Sequence, residues 1–365
     1  MENFSFAHIR LWVASHERTL SYTGLILGFI FDATFFRRVD LPFENLLIIL
    51  HFVAGLFAII VLHVRPVWYD AHPFLQRIRI FLPFVMQFAI GGLFGKFLIF
   101  YSKSGALIRS WPFLLMLIIL FVGNESFRGR YEKLNFRLAI FFTALFSYCI
   151  FFVPVLTKDI SDKSFLLSGF ISFIVMVITV RLLHHFVDTI NLQERMNVYG
   201  IILGVYIVFN IMYFTNIIPP IPLALKEAGV YHSITRNPDG NYEVTREVPL
   251  WRDLFSLYDL YHWVPGTPIY FYSAIFSPTE LNTNIIHEWQ MYEAHTHLWR
   301  TAQRVELPIV GGRDGGYRTY SLRSTMEPGF WRVNIETPRG QLIGRIGFQV
   351  EESSSTPSLQ TSVNF

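Results

Sequence analysis

The feature that most constrains this chain is a series of long apolar segments in its N-terminal part. These segments lie at about 20–36, 43–64, 78–101, 105–123, 136–156, 164–183 and 198–218. A helix needs about 20 apolar residues to cross the hydrocarbon core of a bilayer, so each segment is of spanning length. Composition agrees, because 52% of the residues are hydrophobic and only 16% are charged, which is too apolar for an ordinary soluble protein. The sequence therefore predicts an α-helical polytopic bundle of about seven transmembrane helices over residues 1–218.

The distribution of Lys and Arg predicts how these helices are oriented. The N-terminal segment and the loops on its side of the membrane carry 11 Lys and Arg residues, whereas the opposite side carries 7. Positively charged loops are retained in the cytoplasm. We therefore expect a cytoplasmic N-terminus and, after seven crossings, an extracytoplasmic C-terminal part. The first apolar segment lacks a small-residue cleavage site, so we expect it to remain as a span.

Gly-x-x-x-Gly spacings occur within three of the predicted spans. The pairs are Gly24 with Gly28, Gly91 with Gly95, and Gly200 with Gly204. Such pairs let the backbones of two helices approach closely. We expect them to pack inside the bundle, and dimerisation is the alternative.

The chain changes character after the last apolar segment. Pro219, Pro220 and Pro222 end the helix, because each proline removes a backbone donor and clashes with the preceding turn. Residues 219–229 are predicted to form an extended juxtamembrane collar. Residues 230–352 then show the short runs of a β domain, and the Ser- and Thr-rich tail 353–365 is predicted to be disordered.

The clearest strand signal is a hairpin between residues 330 and 350. Its first run places Trp331, Val333 and Ile335 on one face and Arg332, Asn334 and Glu336 on the other. Its second run places Ile346, Phe348 and Val350 inward and Arg345, Gly347 and Gln349 outward. The segment Thr337-Pro338-Arg339-Gly340 between them has the chemistry of a type I turn. A hairpin alone is marginal in water, so this one needs partners from earlier in the chain.

Residues 317–322 and 298–310 are the expected partners of this hairpin, and further strand signals lie earlier in the chain. Residues 230–236 and 242–247 flank Asn237-Pro238-Asp239-Gly240, which is a strong hairpin signal. Residues 269–276 form a nearly continuous apolar run, which indicates a central strand covered on both faces. Residues 285–292 alternate, and they place His287 and Trp289 on one face.

One segment of this region has a helical pattern instead. Residues 250–261 repeat apolar side chains at helical spacing and predict a short aromatic helix. This helix either packs on the sandwich or lies at the level of the lipid headgroups. The remaining runs make about six or seven short strands. We therefore expect residues 230–352 to form an all-β, immunoglobulin-like antiparallel sandwich.

The C-terminal region also resembles a known family. The residues that agree are His287-Glu288-Trp289, Arg318-Thr319-Tyr320-Ser321, Pro328-Gly329 with Trp331-Arg332-Val333, Gly340, and Phe348-Gln349-Val350. In order and spacing they resemble the bacterial family called domain of unknown function 2914, over roughly the last 70 to 80 residues. The resemblance implies a small extracytoplasmic β module in a bacterial cytoplasmic (inner) membrane protein, with no catalytic residues to carry over.

Charge and cysteine content exclude several classes of protein. Residues 1–216 hold 18 Lys and Arg against 12 acidic residues, whereas residues 217–365 hold 12 against 15. The positive excess therefore belongs to the membrane part, which argues against nucleic-acid binding. Cys149 is the one cysteine, so the chain cannot form an internal disulfide. The sequence has no nucleophile elbow, zinc-protease helix or dinucleotide fingerprint, and we predict no cofactor.

Metal binding is also not predicted. His184 and Asp188 lie one helical turn apart, which is a spacing that places two ligands on one metal ion. The sequence offers no third and fourth ligand of certain proximity. Interfacial residues near lipid headgroups are the simpler interpretation.

Two charged residues within the apolar segments form the first candidate ligand site. Asp32 and Lys96 lie near the outer ends of spans that run in the same direction, so they share a depth in the membrane. An unpaired charge there is costly, which predicts an ion pair or a wet cavity. A polar pocket open to the outside would also be lined by Glu44, His51 and Arg109. A purely structural ion pair is the alternative.

A second candidate site lies in the glycine-rich loop of the β region. Arg313 and Asp314 stand between two pairs of glycines, in Gly311-Gly312-Arg313-Asp314-Gly315-Gly316. Such a loop can present both side chains to a ligand. The alternative is that its glycines only serve a sharp corner or a bulge.

These observations lead to two hypotheses of function. In the first, the helices anchor a non-enzymatic β-sandwich that binds an envelope protein, glycan or peptidoglycan. In the second, the helix bundle acts as a transporter or a membrane-embedded enzyme through the pocket of Asp32, Lys96 and Arg109. Both place the protein in a lipid bilayer, and neither predicts an oligomeric state.

Overall fold

The computed structural model describes most of the chain. The described residues are 41–64, 73–79, 81–104, 107–126, 134–186, 192–220, 222–238, 241–248, 258–278, 281–311, 315–355 and 357–364, with single positions between 15 and 34. By its internal contacts the chain divides into two compact units. We call Met1–Ser102 with Ser110–Ile218 the helical unit, and Lys103–Arg109 with Pro219–Phe365 the β unit.

Seven helices are described in the N-terminal part of the chain. They are α1 (Pro42–His63), α2 (Pro73–Ile78), α3 (Leu82–Ser104), α4 (Leu107–Ser126), α5 (Leu134–Thr157), α6 (Asp162–Phe186) and α7 (Leu192–Phe214). Five of them, α1, α3, α5, α6 and α7, are long and apolar enough to cross a membrane. Helix α4 carries a shorter apolar stretch, Arg109–Gly123. The predicted first span, 20–36, lies largely outside the described residues, so the count of seven crossings stays a prediction.

Helix α5 lies at the centre of the helical unit. Of its apolar span 83% is buried, compared with 33% for α1 and 28% for α7. Its Phe146 ring stacks on Tyr206 and Phe209 of α7, with centroids 5.6 and 4.7 Å away. Lipid tails are as apolar as these side chains, so close packing rather than escape from water favours the contact between membrane helices.

The Gly-x-x-x-Gly pairs do not all behave alike. A Cβ added to Gly95 would lie 3.0 Å from the Phe29 ring, so this glycine packs closely inside the unit, as expected. Around Gly200 and Gly204, in contrast, no described residue comes within 4 Å of such a Cβ. The expectation of packing inside the bundle is therefore wrong for this pair within the described part of the chain.

The β unit contains eleven described strands. They are β1 (Ala224–Tyr231), β2 (Ser233–Arg236), β3 (Tyr242–Glu247), β4 (Asp259–Trp263), β5 (Ile269–Phe276), β6 (Asn282–Glu293), β7 (Leu298–Val310), β8 (Tyr317–Arg323), β9 (Gly329–Glu336), β10 (Leu342–Glu352) and β11 (Leu359–Asn364). They form a five-stranded sheet in the order β4-β10-β9-β6-β7, a middle sheet β1-β5-β8 and an outer sheet β11-β3-β2.

The three sheets stack as layers around strand β5. On one face of β5, Phe271 packs against Trp289 of the five-stranded sheet, with ring centroids 6.0 Å apart. On the other face, Tyr272 packs against Tyr242 of the outer sheet at 5.8 Å. Seven of the eight β5 residues are buried. The prediction of a central strand covered on both faces is confirmed.

Both predicted hairpins are present. Strand β2 pairs antiparallel with β3, and β9 pairs antiparallel with β10. At the second turn, the Gly340 amide donates to the Thr337 carbonyl over 2.8 Å. Gly340 has a φ of +81°, a left-handed conformation that glycine adopts without steric cost.

Two expectations for the β region are wrong. The helix predicted for residues 250–261 is contradicted at its end, where Asp259–Trp263 forms β4 and pairs parallel with β10. Tyr261 and Trp263 are buried at every second position, so the same aromatic residues satisfy the period of a strand. The tail 353–365 is not disordered throughout, because β11 pairs with β3. Backbone pairing to an open sheet edge does not require apolar side chains.

The packing around α5 predicts unequal effects for two helical glycines. A Cβ at Gly169 of α6 would lie 2.7 Å from Tyr206 and 3.0 Å from Phe146, so Gly169→Ala must displace stacked rings. We expect this variant to lose about 1–3 kcal/mol of stability. Gly200→Ala is the matched control and is expected to be neutral. Thermal unfolding of the full-length protein in detergent measures both, and equal midpoints would contradict the packing described for α6.

Candidate functional site

The candidate site lies on the face of the five-stranded sheet that points away from the middle sheet. Strand residues alternate between faces, so His287 and Trp289 of β6 point inward while Glu288 and Gln290 point outward. The outward polar side chains come from four neighbouring strands. We call Glu288, Gln290, Thr301, Arg304, Arg332, Asn334 and Arg345 the polar face.

Strand register aligns these residues in two rows across the sheet. One row contains Arg345, Asn334, Glu288 and Arg304, and the next contains Gly347, Arg332, Gln290 and Thr301. Directly opposed residues on one face have Cβ atoms about 5 Å apart. Side chains that are far apart in sequence are therefore close enough to bond.

The first row is tied together at Asn334 and Glu288. Asn334 is 3% exposed, and its Nδ2 donates to Glu288 Oε2 over 3.2 Å. Its Oδ1 accepts a hydrogen bond from Arg345 Nε over 2.6 Å. Thr301 Oγ1 donates to the other Glu288 oxygen over 3.0 Å. Glu288 is only 8% exposed, and these bonds compensate the cost of burying its carboxylate.

The second row holds an arginine in a fixed position. Arg332 Nε donates to Gln290 Oε1 over 2.7 Å. The Arg332 guanidinium lies 4.2 Å from the centroid of the Trp299 ring, which is a cation–π contact. Burial, followed by repulsion from Arg345, lowers the pKa of Arg332 to about 10. Arg332 is therefore still charged at neutral pH.

Aromatic side chains border the row of Arg332. We call Tyr258, Tyr292, Trp299 and Phe330 the aromatic rim. Tyr292 contacts Trp299 with ring centroids 5.3 Å apart, and Tyr258 contacts Phe330 at 5.2 Å. Tyr258 is 38% exposed and Phe330 is 40% exposed. Gly347 makes room for this rim, since a Cβ there would come within 2.7 Å of the Tyr258 ring.

The opposite end of the same face is acidic. Glu336 is the next outward residue after Asn334 on β9, and Glu306 of β7 stands opposite Ile286 of β6. Burial, followed by repulsion from Glu288, raises the pKa of Glu336. The aromatic rim thus lies beyond the row of Arg332, whereas the carboxylates lie beside Arg345, since Glu288 shares its row and Glu336 stands in the next row.

A second polar network lies beneath the polar face, inside the β unit. His287 is fully buried, with Nε2 2.9 Å from Ser273 Oγ and Nδ1 3.0 Å from Ser321 Oγ. Trp289 Nε1 also donates to Ser321 Oγ over 3.1 Å. Burial lowers the pKa of His287 to about 3, so the imidazole is neutral at physiological pH. Its role is to satisfy the polar groups between two sheets.

A carboxylate with two histidine partners connects strands of different sheets in the same unit. Glu247, at the end of β3, has Oε1 3.0 Å from His232 Nε2 and Oε2 2.7 Å from His262 Nδ1 of β4. Burial acts to raise the pKa of Glu247, but the hydrogen bonds from His232 and His262 outweigh it and lower the pKa. The geometry is that of a structural tie between β3 and β4.

The structure places only some of the predicted site residues. Lys96, on α3, is fully buried, whereas Arg109, at the start of α4, is exposed. Lys96 belongs to the helical unit and Arg109 to the β unit. Asp32, Arg313 and Asp314 lie outside the described residues, so their predicted roles stay predictions. Among the residues that are described, no group of three or more side chains has the composition of a metal site.

Lys96 contacts His51, which the sequence predicted to line the same pocket. Lys96 Nζ lies 3.2 Å from His51 Nε2, and His51 Nδ1 lies 2.7 Å from the Leu47 carbonyl oxygen. Since only a protonated Nδ1 can bond a carbonyl oxygen, Nε2 is the acceptor that receives the lysine hydrogen bond. Lys96 is fully buried and His51 is partly buried, and the two residues form a polar pair among apolar helices.

Comparison with known proteins identifies one family. Residues 282–350 match a family described as Protein of unknown function (DUF2914), which confirms the resemblance of the C-terminal region. The match runs from the start of β6 into β10 and includes every residue of the polar face. A search of curated proteins gives no match.

Solved structures give only weak similarities. A β-glucosidase from Listeria innocua in complex with isofagomine is 10% identical, with a TM-score of 0.19, over 35% of this chain and 16% of the glucosidase. The alkylpurine DNA glycosylase AlkC of Pseudomonas fluorescens, bound to DNA containing an abasic site analog, is 10% identical, with a TM-score of 0.20, over 86% of this chain and 99% of the glycosylase. TM-scores this low carry no argument about fold or function.

Sequence reasoning missed the polar face as a site. It did place Arg332, Asn334 and Arg345 on the outward side of their hairpin. What it lacked was the partner of that hairpin, because Glu288 and Gln290 belong to a strand more than 40 residues earlier. The sequence nevertheless contained a signal, since the segments that form β6 and β9 both alternate between apolar and hydrogen-bonding side chains.

The buried His287 predicts a pH dependence of stability. Its pKa is about 3 in the folded protein, compared with 6.5 for an ordinary solvated histidine, so the unfolded chain binds a proton that the folded chain does not as pH falls below 6.5. This group therefore lowers stability by about 1.4 kcal/mol per pH unit between pH 6 and pH 4 and contributes no slope above pH 7. Urea unfolding of the full-length protein, followed by tryptophan fluorescence, measures the slope.

Two variants identify the source of that slope. His287→Gln is expected to reduce the pH dependence by the stated amount, even though it lowers stability at every pH. His295→Gln, at the exposed tip between β6 and β7, should leave the slope unchanged. A wild-type slope that His287→Gln does not alter would contradict the buried, neutral state of the imidazole.

Proposed function

We propose that this is a multi-pass protein of a bacterial cytoplasmic membrane that binds a glycan of the cell envelope through the polar face of its β unit. In this proposal seven helices cross the membrane, the N-terminus is cytoplasmic, and the β unit, with an immunoglobulin-like sandwich at its core, is extracytoplasmic. The helices of spanning length and the distribution of Lys and Arg support this topology.

The observation that carries the proposal is the preorganised outer face of the five-stranded sheet. An ordinary solvated sheet face carries long, independent side chains. Here Glu288, Asn334 and Gln290 are held by mutual hydrogen bonds and are largely withdrawn from water. A ligand that meets such a face does not have to immobilise its side chains, which removes part of the entropic cost of binding.

The chemistry of the face fits a saccharide better than a protein partner. Sugar rings offer apolar C–H surfaces and a dense set of hydroxyl groups. The aromatic rim supplies half-exposed rings for the former, and Gln290, Asn334 and Arg332 supply planar donors and acceptors for the latter. A protein interface of ordinary strength would instead need a larger desolvated apolar centre.

Removal of one aromatic ring tests the proposal. Full-length protein in lipid nanodiscs is mixed with an insoluble envelope fraction that contains peptidoglycan and polysaccharide, and the bound protein is quantified by sedimentation. Trp299→Ala removes a rim ring and the support of Arg332, so we expect binding to fall at least about tenfold.

The matched control for this variant is an exposed aromatic residue elsewhere. Tyr320→Ala, on β8 of the middle sheet, should keep wild-type binding. The proposal fails if wild-type protein does not sediment with the envelope fraction, or if Trp299→Ala sediments as well as wild type. Sedimentation that protease treatment of the fraction abolishes would point to an envelope protein instead.

A second candidate function places the activity in the helix bundle, as a transporter or membrane-embedded enzyme. The contact between Lys96 and His51 favours it, because ionisable groups inside a membrane are costly and commonly serve transport or proton transfer. Asp32 lies outside the described residues and Arg109 belongs to the β unit, so this second candidate rests on Lys96 and His51. A structural ion pair is the alternative role for the same lysine.

Proton movement tests this second candidate. Proteoliposomes that enclose a pH-sensitive dye are given a pH gradient across the membrane. If the buried pair takes part in proton-coupled transport, Lys96→Met should slow dissipation of the gradient at least about fivefold relative to wild type, because it removes a titratable group from the path. Lys163→Met, exposed at the start of α6, is the control. Equal rates for wild type and Lys96→Met would argue for the structural role.

A further inference from the structure

The polar face contains two arginines, Arg332 and Arg345, whose guanidinium groups are only partly hydrogen-bonded within the face. Arg332 and Arg345 each donate through Nε to an amide oxygen, on Gln290 and on Asn334 respectively. No hydrogen bond from the terminal nitrogens of either guanidinium reaches another residue in the described part of the chain. Each guanidinium group is thus held through its Nε. Its two terminal nitrogens can still form a bidentate pair with an anion.

These two guanidinium groups are close to one another. Arg345 stands opposite Asn334 and Arg332 stands opposite Gly347, so the two arginines are diagonal neighbours on adjacent strands. Each lies within electrostatic range of Glu288, which is already engaged with Thr301, Gln290 and Asn334. Repulsion between the two cations is relieved when an anion binds between them.

The surroundings of the pair restrict which anion fits. Trp299 lies under the Arg332 guanidinium, and Tyr258 covers the glycine beside it. Rings on both sides favour an anionic group that belongs to a ring-shaped ligand rather than a free inorganic ion. The carboxylates of Glu288 and Glu336 attract both arginines, but neither carboxylate forms an ion pair with Arg332 or Arg345 in the described part of the chain.

From this arrangement we infer that the ligand is an acidic glycan, whose carboxylate binds between Arg332 and Arg345 while its sugar ring packs on the aromatic rim. The inference rests on the proposed function, since it names the chemical class of the ligand for the same face. It also predicts orientation, because the acidic substituent lies between Arg332 and Arg345 while the sugar ring extends toward the aromatic rim.

Chemical modification of the glycan tests the inference independently of the arginines. The envelope fraction is treated with protease and divided, and one half has its carboxylates converted to neutral amides. Full-length protein in nanodiscs of phosphatidylcholine, which has no net charge, is then bound to both halves. We expect amidation to weaken binding at least about tenfold, and binding to the untreated half to fall as salt is raised.

Variants of the arginines give the matching protein-side result. Arg332→Gln and Arg345→Gln should each bind the untreated and amidated halves equally and weakly. Arg332→Lys should recover little, because lysine cannot both anchor on Gln290 and offer a bidentate edge. Arg246→Gln, an exposed arginine on β3 of the outer sheet, should retain wild-type preference. Unchanged tryptophan fluorescence and thermal midpoint establish that each variant is folded.

The outcomes separate the two proposals. If wild-type protein binds both halves equally, the acidic ligand is excluded while glycan binding by the face stands. If it binds neither half, the proposed function fails and the inference fails with it. If amidation weakens binding but the arginine variants behave as wild type, the acidic group is recognised elsewhere and the assignment to Arg332 and Arg345 is wrong.

Discussion

The register of the five-stranded sheet is the constraint on which the rest of the β unit depends. Because side chains alternate from one face to the other, a slip of one residue would exchange the two faces of β6. His287 and Trp289 would then lie in water, and Glu288 and Gln290 would lie without partners in the core. The His287 network on the inner face and the Glu288 network on the outer face therefore stabilise the same register. The hydrogen bonds of each network form only when the strands pair correctly.

This dual use of one strand explains why the polar face is rigid. Its side chains are not supported from below by loops but by a sheet whose inner face is packed with aromatic rings, as in the contact of Trp289 with Phe271. Polar networks that are fully satisfied fix a single arrangement, and partly satisfied ones do not. The free edges of Arg332 and Arg345 are therefore exceptions within an otherwise saturated network, and water or a ligand can bond to them.

Much of the architecture could be predicted from the sequence, but the site could not. Alternation correctly separated Trp331, Val333 and Ile335 from the outward residues of β9, because burial follows a period that is local to the strand. The order of strands in a sheet is not local, so nothing in the sequence indicated that β9 lies between β10 and β6. The residues that the sequence did suggest in this region, Arg313 and Asp314, lie outside the described residues. The helix predicted for residues 250–261 is contradicted at its described end for a similar reason, since a parallel partner nearly 90 residues away pairs with β4.

Strand β11 has a consequence for how the protein is made. Thr245 and Thr361, which face each other across β3 and β11, are 116 residues apart in the chain. During synthesis β3 therefore emerges long before the segment that completes its sheet, and its open backbone edge is available to other chains in that interval. Folding of the β unit is therefore completed late in synthesis. A nascent chain that stops before residue 359 exposes an unpaired edge of β3, which β11 covers in the complete protein.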